Sequence, residues 1–221
     1  MNGIPRDAIS KRAARDLWDG AVVNLGIGLP TFVANHVPEG REIVYHSENG
    51  VLGVGPTPPK DKIDPDLINA SKTPISLVPG ASIFHHTDAF VMIRGGHIDL
   101  ALLGAMQVSA LGDLANWSTG DEKMPPAVGG AMDLAAGAAE VRVLMEHTTK
   151  DGKPKIVETC TYPLTAKRVV KRVYTNLAVI DVTSSGLVVR EIADGISFEA
   201  LQSATGAKLA LANDWAKLTI N

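Results

Sequence analysis

The chain has 221 residues, 45% hydrophobic and 20% charged, with a formal net charge of −3 and a single cysteine. That composition can fill a large apolar core without disulfide staples, offers no positive field to hold nucleic acid, and excludes an internal disulfide or a thiolate metal cluster. Met1 to Trp18 alternates charged and apolar side chains and lacks the apolar core of a secretory signal. No later window approaches the ~18 apolar residues of a membrane span. The expectation is a cytoplasmic chain with no membrane and no nucleic-acid partner, forming one domain over residues 1–221 with a loose tail from Lys217 to Asn221.

Arg6 to Trp18 places Ile9, Ala13 and Leu17 on one helical face, and Asp19-Gly20 stops it before a buried strand over Ala21 to Leu25. A helix over Thr31 to Val37 follows Pro30, then a strand over Ile43 to His46 and a short one over Ser76 to Val78, ended by Pro79-Gly80. His85-His86, if on a strand, would point to opposite faces. His97 to Gly104, Val141 to Glu146 and Leu177 to Val182 are short apolar runs of buried-strand character. Between them, Gly112 to Gly130 is a long polar Gly/Pro-rich stretch holding Asp113, Asn116 and Trp117, and loops of that length in compact domains usually serve function. From Glu199 onward the pattern predicts a last amphipathic helix. The alternation gives an α/β fold with a mainly parallel sheet covered by helices.

Three local patterns could carry chemistry. His46-Ser47-Glu48-Asn49-Gly50 follows a strand directly, where open α/β sheets bind ligands, and Gly53 and Gly55 allow close approach. The same five residues also suit a surface glutamate capping a turn. Asn24-Leu25-Gly26-Ile27-Gly28-Leu29-Pro30 joins strand to helix through glycines, which exposes amides for a phosphate or pantetheine, or makes a tight turn. It lacks the third glycine of a dinucleotide fingerprint. Gly129-Gly130 enters an Ala-rich helix and could present an oxyanion donor, or relieve crowding. The six histidines lack metal-ligand spacing, so no metal site is expected. Cys160 reads as a packed thiol. Neither a nucleophile elbow nor a P-loop is present.

Taken together, NLGIGLP (24–30), SENG (47–50), LINASK (67–72), MIRGGHIDLALLG (92–104), GDLANW (112–117) and GGAMDL (129–134) resemble, in order and spacing, the B subunit of the 3-oxoacid CoA-transferases. The resemblance covers about residues 4–212. It implies a three-layer α/β/α sandwich of the sugar-phosphate-isomerase kind, with Glu48 as nucleophile, and Gly129 as oxyanion donor with Gly130 beside it. CoA contacts would fall on Asn24, Gly26, Gly28, Asn49 and Lys72. One departure is Ser71, where the family pattern has glycine.

No permanently bound cofactor is implied; a coenzyme A thioester is the substrate. The partner is a CoA-transferase A subunit, as A2B2, which supplies a second oxyanion donor. His85 to Phe90 and Pro125 to Gly130 look more like the subunits that convert 3-oxoadipate with succinyl-CoA than those for acetoacetate, and Arg94, His85 and His86 are candidates to hold a distal carboxylate. The readings that compete are an acetoacetate transferase, a CoA-thioester hydrolase, and a non-catalytic nucleotide- or phosphate-binding subunit.

Overall fold

The computed structural model describes residues 3–120 and 128–219. In chain order, α1 (Arg6–Ala14) is followed by β1 (Val22–Leu25), a 3-10 helix over Leu29–Asn35, β2 (Val44–Ser47), β3 (Val51–Val54) and β4 (Leu77–Ile83). Next come α2 (His86–Arg94), β5 (Leu100–Leu103), β6 (Gln107–Ser109), β7 (Leu114–Ala115) and α3 (Ala131–Gly137). The rest is β8 (Glu140–Leu144), β9 (Ile156–Val157), β10 (Val170–Tyr174), β11 (Ala178–Thr183), β12 (Gly186–Ala193), α4 (Phe198–Ser203) and β13 (Leu209–Leu218).

Among the described residues, ten strands form one sheet in the order β13-β12-β11-β10-β8-β5-β1-β2-β3-β4, and β7-β6-β9 form a small second sheet. The five central strands, β10 to β2, are parallel; β3 and β4 on one side and β11 and β12 on the other run antiparallel to their inner neighbours. Parallel strands must be covered on both faces, and β5, Leu-Ala-Leu-Leu, is buried throughout. Its Leu100 and Leu102 join Val23, Tyr174 and Val179 under α1 and the 3-10 helix. Ala101 and Leu103 join Val143, Val173 and Ile180 under α2, α3 and α4 on the opposite face. Two cores on the two faces of one sheet make the three layers, and each fully buried leucine or isoleucine contributes about 1.5–3 kcal/mol.

A charged seam fixes α1 to the sheet. Arg12 Nη2 lies 2.6 Å from Glu191 and its Nη1 2.7 Å from Asp16, while Arg172 bridges Asp16 and Asp181 at 2.6 and 2.5 Å. Arg172 is therefore bound within the fold.

Four local expectations need correction. Thr31 to Val37 lies mostly in a 3-10 helix, because the Thr31 and His36 amides bond three residues back, to Gly28 and Val33. β4 runs through Pro79-Gly80 rather than stopping there; as an edge strand it needs no amide from proline on its outer side. His85 and His86 do not sit on a strand: His85 caps α2, its ring nitrogen accepting from the Thr87 amide, and His86 opens that helix. The C-terminal helix is short, capped by Ser197 and ended at Ala204, and Leu209–Leu218 is a strand parallel to β12 that takes in Lys217. Its Ala, Leu and Lys content favours a helix locally, but the open edge of β12 decides its conformation.

Candidate active site

The chain passes from β1 to β2 on one side and later returns to β5 on the other, so the carboxyl ends of these three strands frame the crevice where open α/β sheets bind ligands. An open cavity of about 440 Å³ lies there, within the ~300–1,000 Å³ usual for small-molecule sites. Gly26 and Ile27 come to it from the end of β1, Glu48 from the turn after β2, and Leu103 to Met106 from the end of β5. Gly129, Gly130 and Ala131 at the start of α3 line it from another side, with Asn116 and Trp117 beyond β7. Five stretches that stand apart in the linear sequence thus converge on one space.

Glu48 is placed by a tight turn between β2 and β3. The Gly50 amide donates to the Ser47 carbonyl at 3.0 Å, and the Phe84 amide to the Gly50 carbonyl at 3.0 Å. Gly50 has φ +113, and a Cβ there would come within 2.1 Å of the Phe84 carbonyl oxygen, so no other residue fits. Below the turn, Ser47 Oγ accepts from the Ala70 amide at 3.1 Å and Asn49 Nδ2 donates to the Ile68 carbonyl at 2.7 Å. Asn69 Oδ1 in turn accepts from the amides of Ser71 and Thr73. The polar residues on either side of Glu48 clamp the 67–73 loop to the sheet.

The half-buried Glu48 carboxylate accepts from Asn24 Nδ2 at 3.1 Å. Burial pushes its pKa up, while its own backbone amide and the Asn24 amide work the other way. Asn24 is fully buried on β1, level with His46 of β2 in the parallel register, and its Nδ2 also lies 3.0 Å from His46 Nδ1. Gly26 extends the β1 ladder by donating to the Leu102 carbonyl at 2.8 Å, and a Cβ on it would meet that oxygen at 2.8 Å. At the far side, a Cβ on Gly130 would strike the Phe90 ring at 2.6 Å, so the glycine lets α2 and α3 close together.

Of the candidate residues, Glu48, Gly26, Gly129 and Gly130 line the cavity. Asn24 lies behind Glu48. Gly28 caps the 3-10 helix with φ +89 and is exposed, outside the lining. Asn49 is turned to the 67–73 loop, and Lys72 is exposed on that loop in the left-handed region, φ +60. Arg94 is engaged by Asp133 at 2.7 Å, and neither it nor His85 or His86 lines the cavity. Pro125 to Ala127 lie outside the described residues. Among the described residues no cluster of metal-ligating side chains occurs, and no helix is long and apolar enough to cross a membrane.

His46 is the contributor that the linear sequence concealed. It stands two positions before Glu48, but only the β1–β2 register sets it beside Asn24. Burial holds its pKa down at about 4, so the imidazole is neutral near pH 7.

A cavity at the switch point, lined by a half-buried carboxylate and by glycines, suits covalent acyl chemistry. The chain is 54% identical to the B subunit of 3-oxoadipate CoA-transferase from Pseudomonas putida over 206 residues, 93% of this chain and 96% of that protein. To the B subunit of succinyl-CoA:3-ketoacid coenzyme A transferase from Helicobacter pylori it is 51% identical, covering 92% and 97%. Among solved structures, the acyl-CoA transferase YdiF of Escherichia coli O157:H7, in thioester complex with CoA, matches with a TM-score of 0.74 at 18% identity over all of this chain, which spans 44% of YdiF. The family model for coenzyme A transferase matches residues 6–204. Fold, sequence likeness and family pattern agree, and the chain belongs to the coenzyme A transferase family.

Proposed function

We propose that this chain is the B subunit of a CoA-transferase that moves CoA from succinyl-CoA to a 3-oxoacid, preferentially 3-oxoadipate, with Glu48 as the nucleophile. The observation that carries the reading is the Glu48 carboxylate at the mouth of a glycine-walled cavity, oriented by a buried amide and partly stripped of water. The two relatives named as 3-oxoadipate and succinyl-CoA:3-ketoacid transferase B subunits support the substrate class. The work is that of a cytoplasmic enzyme completed by an A subunit, as A2B2.

The chemistry balances as four steps. A Glu48 carboxylate oxygen attacks the thioester carbonyl of succinyl-CoA, and collapse of the tetrahedral intermediate expels CoA thiolate and leaves a succinyl–glutamyl anhydride. The thiolate then attacks the glutamyl carbonyl, releasing succinate and leaving a Glu48–CoA thioester. The 3-oxoacid carboxylate attacks that thioester and expels the thiolate, which finally attacks the acyl carbonyl of the new anhydride and frees Glu48. A carboxylate is a poor nucleophile in water, and positioning in a water-poor cleft offsets that.

Each intermediate develops an oxyanion facing the Gly129–Gly130 wall. A preorganised amide donor at such a position is worth ~2.7–4 kcal/mol of barrier. Gly26, at the end of β1, lets the thioester approach Glu48 closely, and the exposed Lys72 offers a charge to the CoA phosphates.

The test is steady-state kinetics of the chain assembled with an A subunit, using succinyl-CoA with 3-oxoadipate and with acetoacetate in parallel. Ping-pong kinetics with the higher kcat/KM for 3-oxoadipate are expected. Preference for acetoacetate would move the substrate, and steady release of free CoA without acceptor would replace transfer by hydrolysis.

A further inference from the structure

We infer that His46 is a positioning residue for Glu48, acting by locking the amide of Asn24 in the one orientation that offers an N–H to the carboxylate. The inference rests on Glu48 being the nucleophile and names what holds it.

Asn24 Nδ2 is the shared atom: it lies 3.0 Å from His46 Nδ1 and 3.1 Å from Glu48 Oε2. An amide nitrogen carries two hydrogens, so it can serve both only if Nδ1 accepts. His46 must then be the neutral tautomer with its proton on Nε2. Burial favours that neutral form, since Asn24 and His46 are both fully inaccessible to solvent. Turning the Asn24 amide over would put Oδ1 against the Glu48 carboxylate, two acceptors together, and would require His46 to move its proton from Nε2 to Nδ1. The cost of leaving such acceptors unpaired in a buried site fixes the amide.

The imidazole is itself held. The Phe84 ring stacks on it with centroids 6.4 Å apart at 29°, and Phe84 is tied to the Glu48 turn by its N–H, which donates to the Gly50 carbonyl. His46 Nε2 and Asn24 Oδ1 have no protein partner among the described residues. A group kept for packing alone would be cheaper as an apolar residue, because an incompletely satisfied buried polar pair costs stability. The pair makes sense if its product is the direction of one N–H.

The experiment measures single-turnover formation of the Glu48–CoA thioester by rapid-quench mass spectrometry, and kcat and KM for succinyl-CoA, in the assembled enzyme. His46→Asn keeps an acceptor where Nδ1 stands and is expected to retain the rate within about 3-fold. His46→Gln places its amide near Nε2 instead, and His46→Leu has no acceptor; both are expected to lose ~10–100-fold in adduct formation and kcat with KM changed less than about 3-fold. If His46→Leu does not fold, the Asn–Gln pair still decides. Equal rates for Asn and Gln, or a full rate in Leu, would overturn the positioning role while leaving Glu48 intact. No adduct in the unsubstituted enzyme would overturn the nucleophile reading itself, and the inference with it.

Discussion

Two histidines are fully buried in this fold, and their surroundings differ in completeness. His147 is satisfied at both ring nitrogens, Nδ1 by Thr175 Oγ1 and Nε2 by Thr205 Oγ1, each at 2.9 Å. Thr205 Oγ1 also donates to the Leu201 carbonyl and Thr175 Oγ1 to the Ala178 carbonyl, which ties both hydroxyls, and the ring between them, to the backbone. His46 has one partner, Asn24, and a bare Nε2. Among the described residues, the buried polar side-chain atoms without a protein partner are Asn24 Oδ1, Tyr45 OH, His46 Nε2 and Ser71 Oγ. All belong to β1, β2 and the loop clamped beneath Glu48. Folds satisfy buried polar groups where stability is at stake and leave them incomplete where a site is being shaped. On that contrast, His147 joins β10–β11 to α4 with both ring nitrogens engaged, while the Asn24–His46–Glu48 group is the one we propose to be functional.

The contrast breaks most visibly at Glu48. Glu48→Gln keeps the shape and the Asn24 contact but removes the nucleophile, so transfer is expected to fall by ~10⁴-fold or more, read in the 3-oxoadipate assay. The same variant should lose no stability in thermal melts. Burial raises the Glu48 pKa, so ionising this carboxylate costs more in the fold than in the unfolded chain, a cost that glutamine removes. Glu48→Asp retracts the carboxylate by about one methylene, and a displacement of that size should cost ~10²-fold in transfer.

The structural side of the contrast responds in the opposite currency. His147→Leu deletes two buried hydrogen bonds and should lower unfolding free energy by about 1–3 kcal/mol in denaturant titrations, with kcat of the folded enzyme unchanged. A loss of kcat at unchanged stability would erase the distinction. The last effect is in acid. Burial, helped by Lys155, holds the His147 pKa at about 4, against about 6.5 in an unfolded chain. Between those values the unfolded chain binds the proton and the fold does not. Stability that is complete above about pH 6.5 therefore drains away toward pH 4, at up to about 1.4 kcal/mol per pH unit from this group. The slope of unfolding free energy against pH in that window should be shallower in His147→Leu.

What could be read from the chain beforehand divides along similar lines. Four of the five parallel core strands, β1, β2, β5 and β8, are legible because burial on both faces leaves short apolar runs such as Leu100 to Leu103; β10, with Lys171 and Arg172 inside it, is not. Edge strands are not: β13 reads as a helix, and β4 crosses a Pro-Gly pair, since pairing with β12 and β3 decides both. In the site, Glu48 and the Gly129–Gly130 pair stand out through motif likeness and share one cavity. Asn24, Asn49 and Lys72 stand in the same motifs, but the fold gives the first to Glu48 and His46 and the second to Ile68, and leaves Lys72 exposed on the 67–73 loop. Direction of a side chain depends on strand register and turn geometry, which no linear pattern contains. His46 illustrates the point: its role exists only because Val44–Ser47 pairs in parallel with Val22–Leu25.

The most direct measurement is intact-mass and peptide mass spectrometry of the chain assembled with an A subunit and incubated with succinyl-CoA in the absence of acceptor, with Glu48→Ala beside it. The account predicts a CoA adduct on the Glu48 peptide that is missing from the variant and is discharged by 3-oxoadipate. A complex that binds CoA without forming that adduct would contradict it and leave a non-catalytic binding subunit in its place.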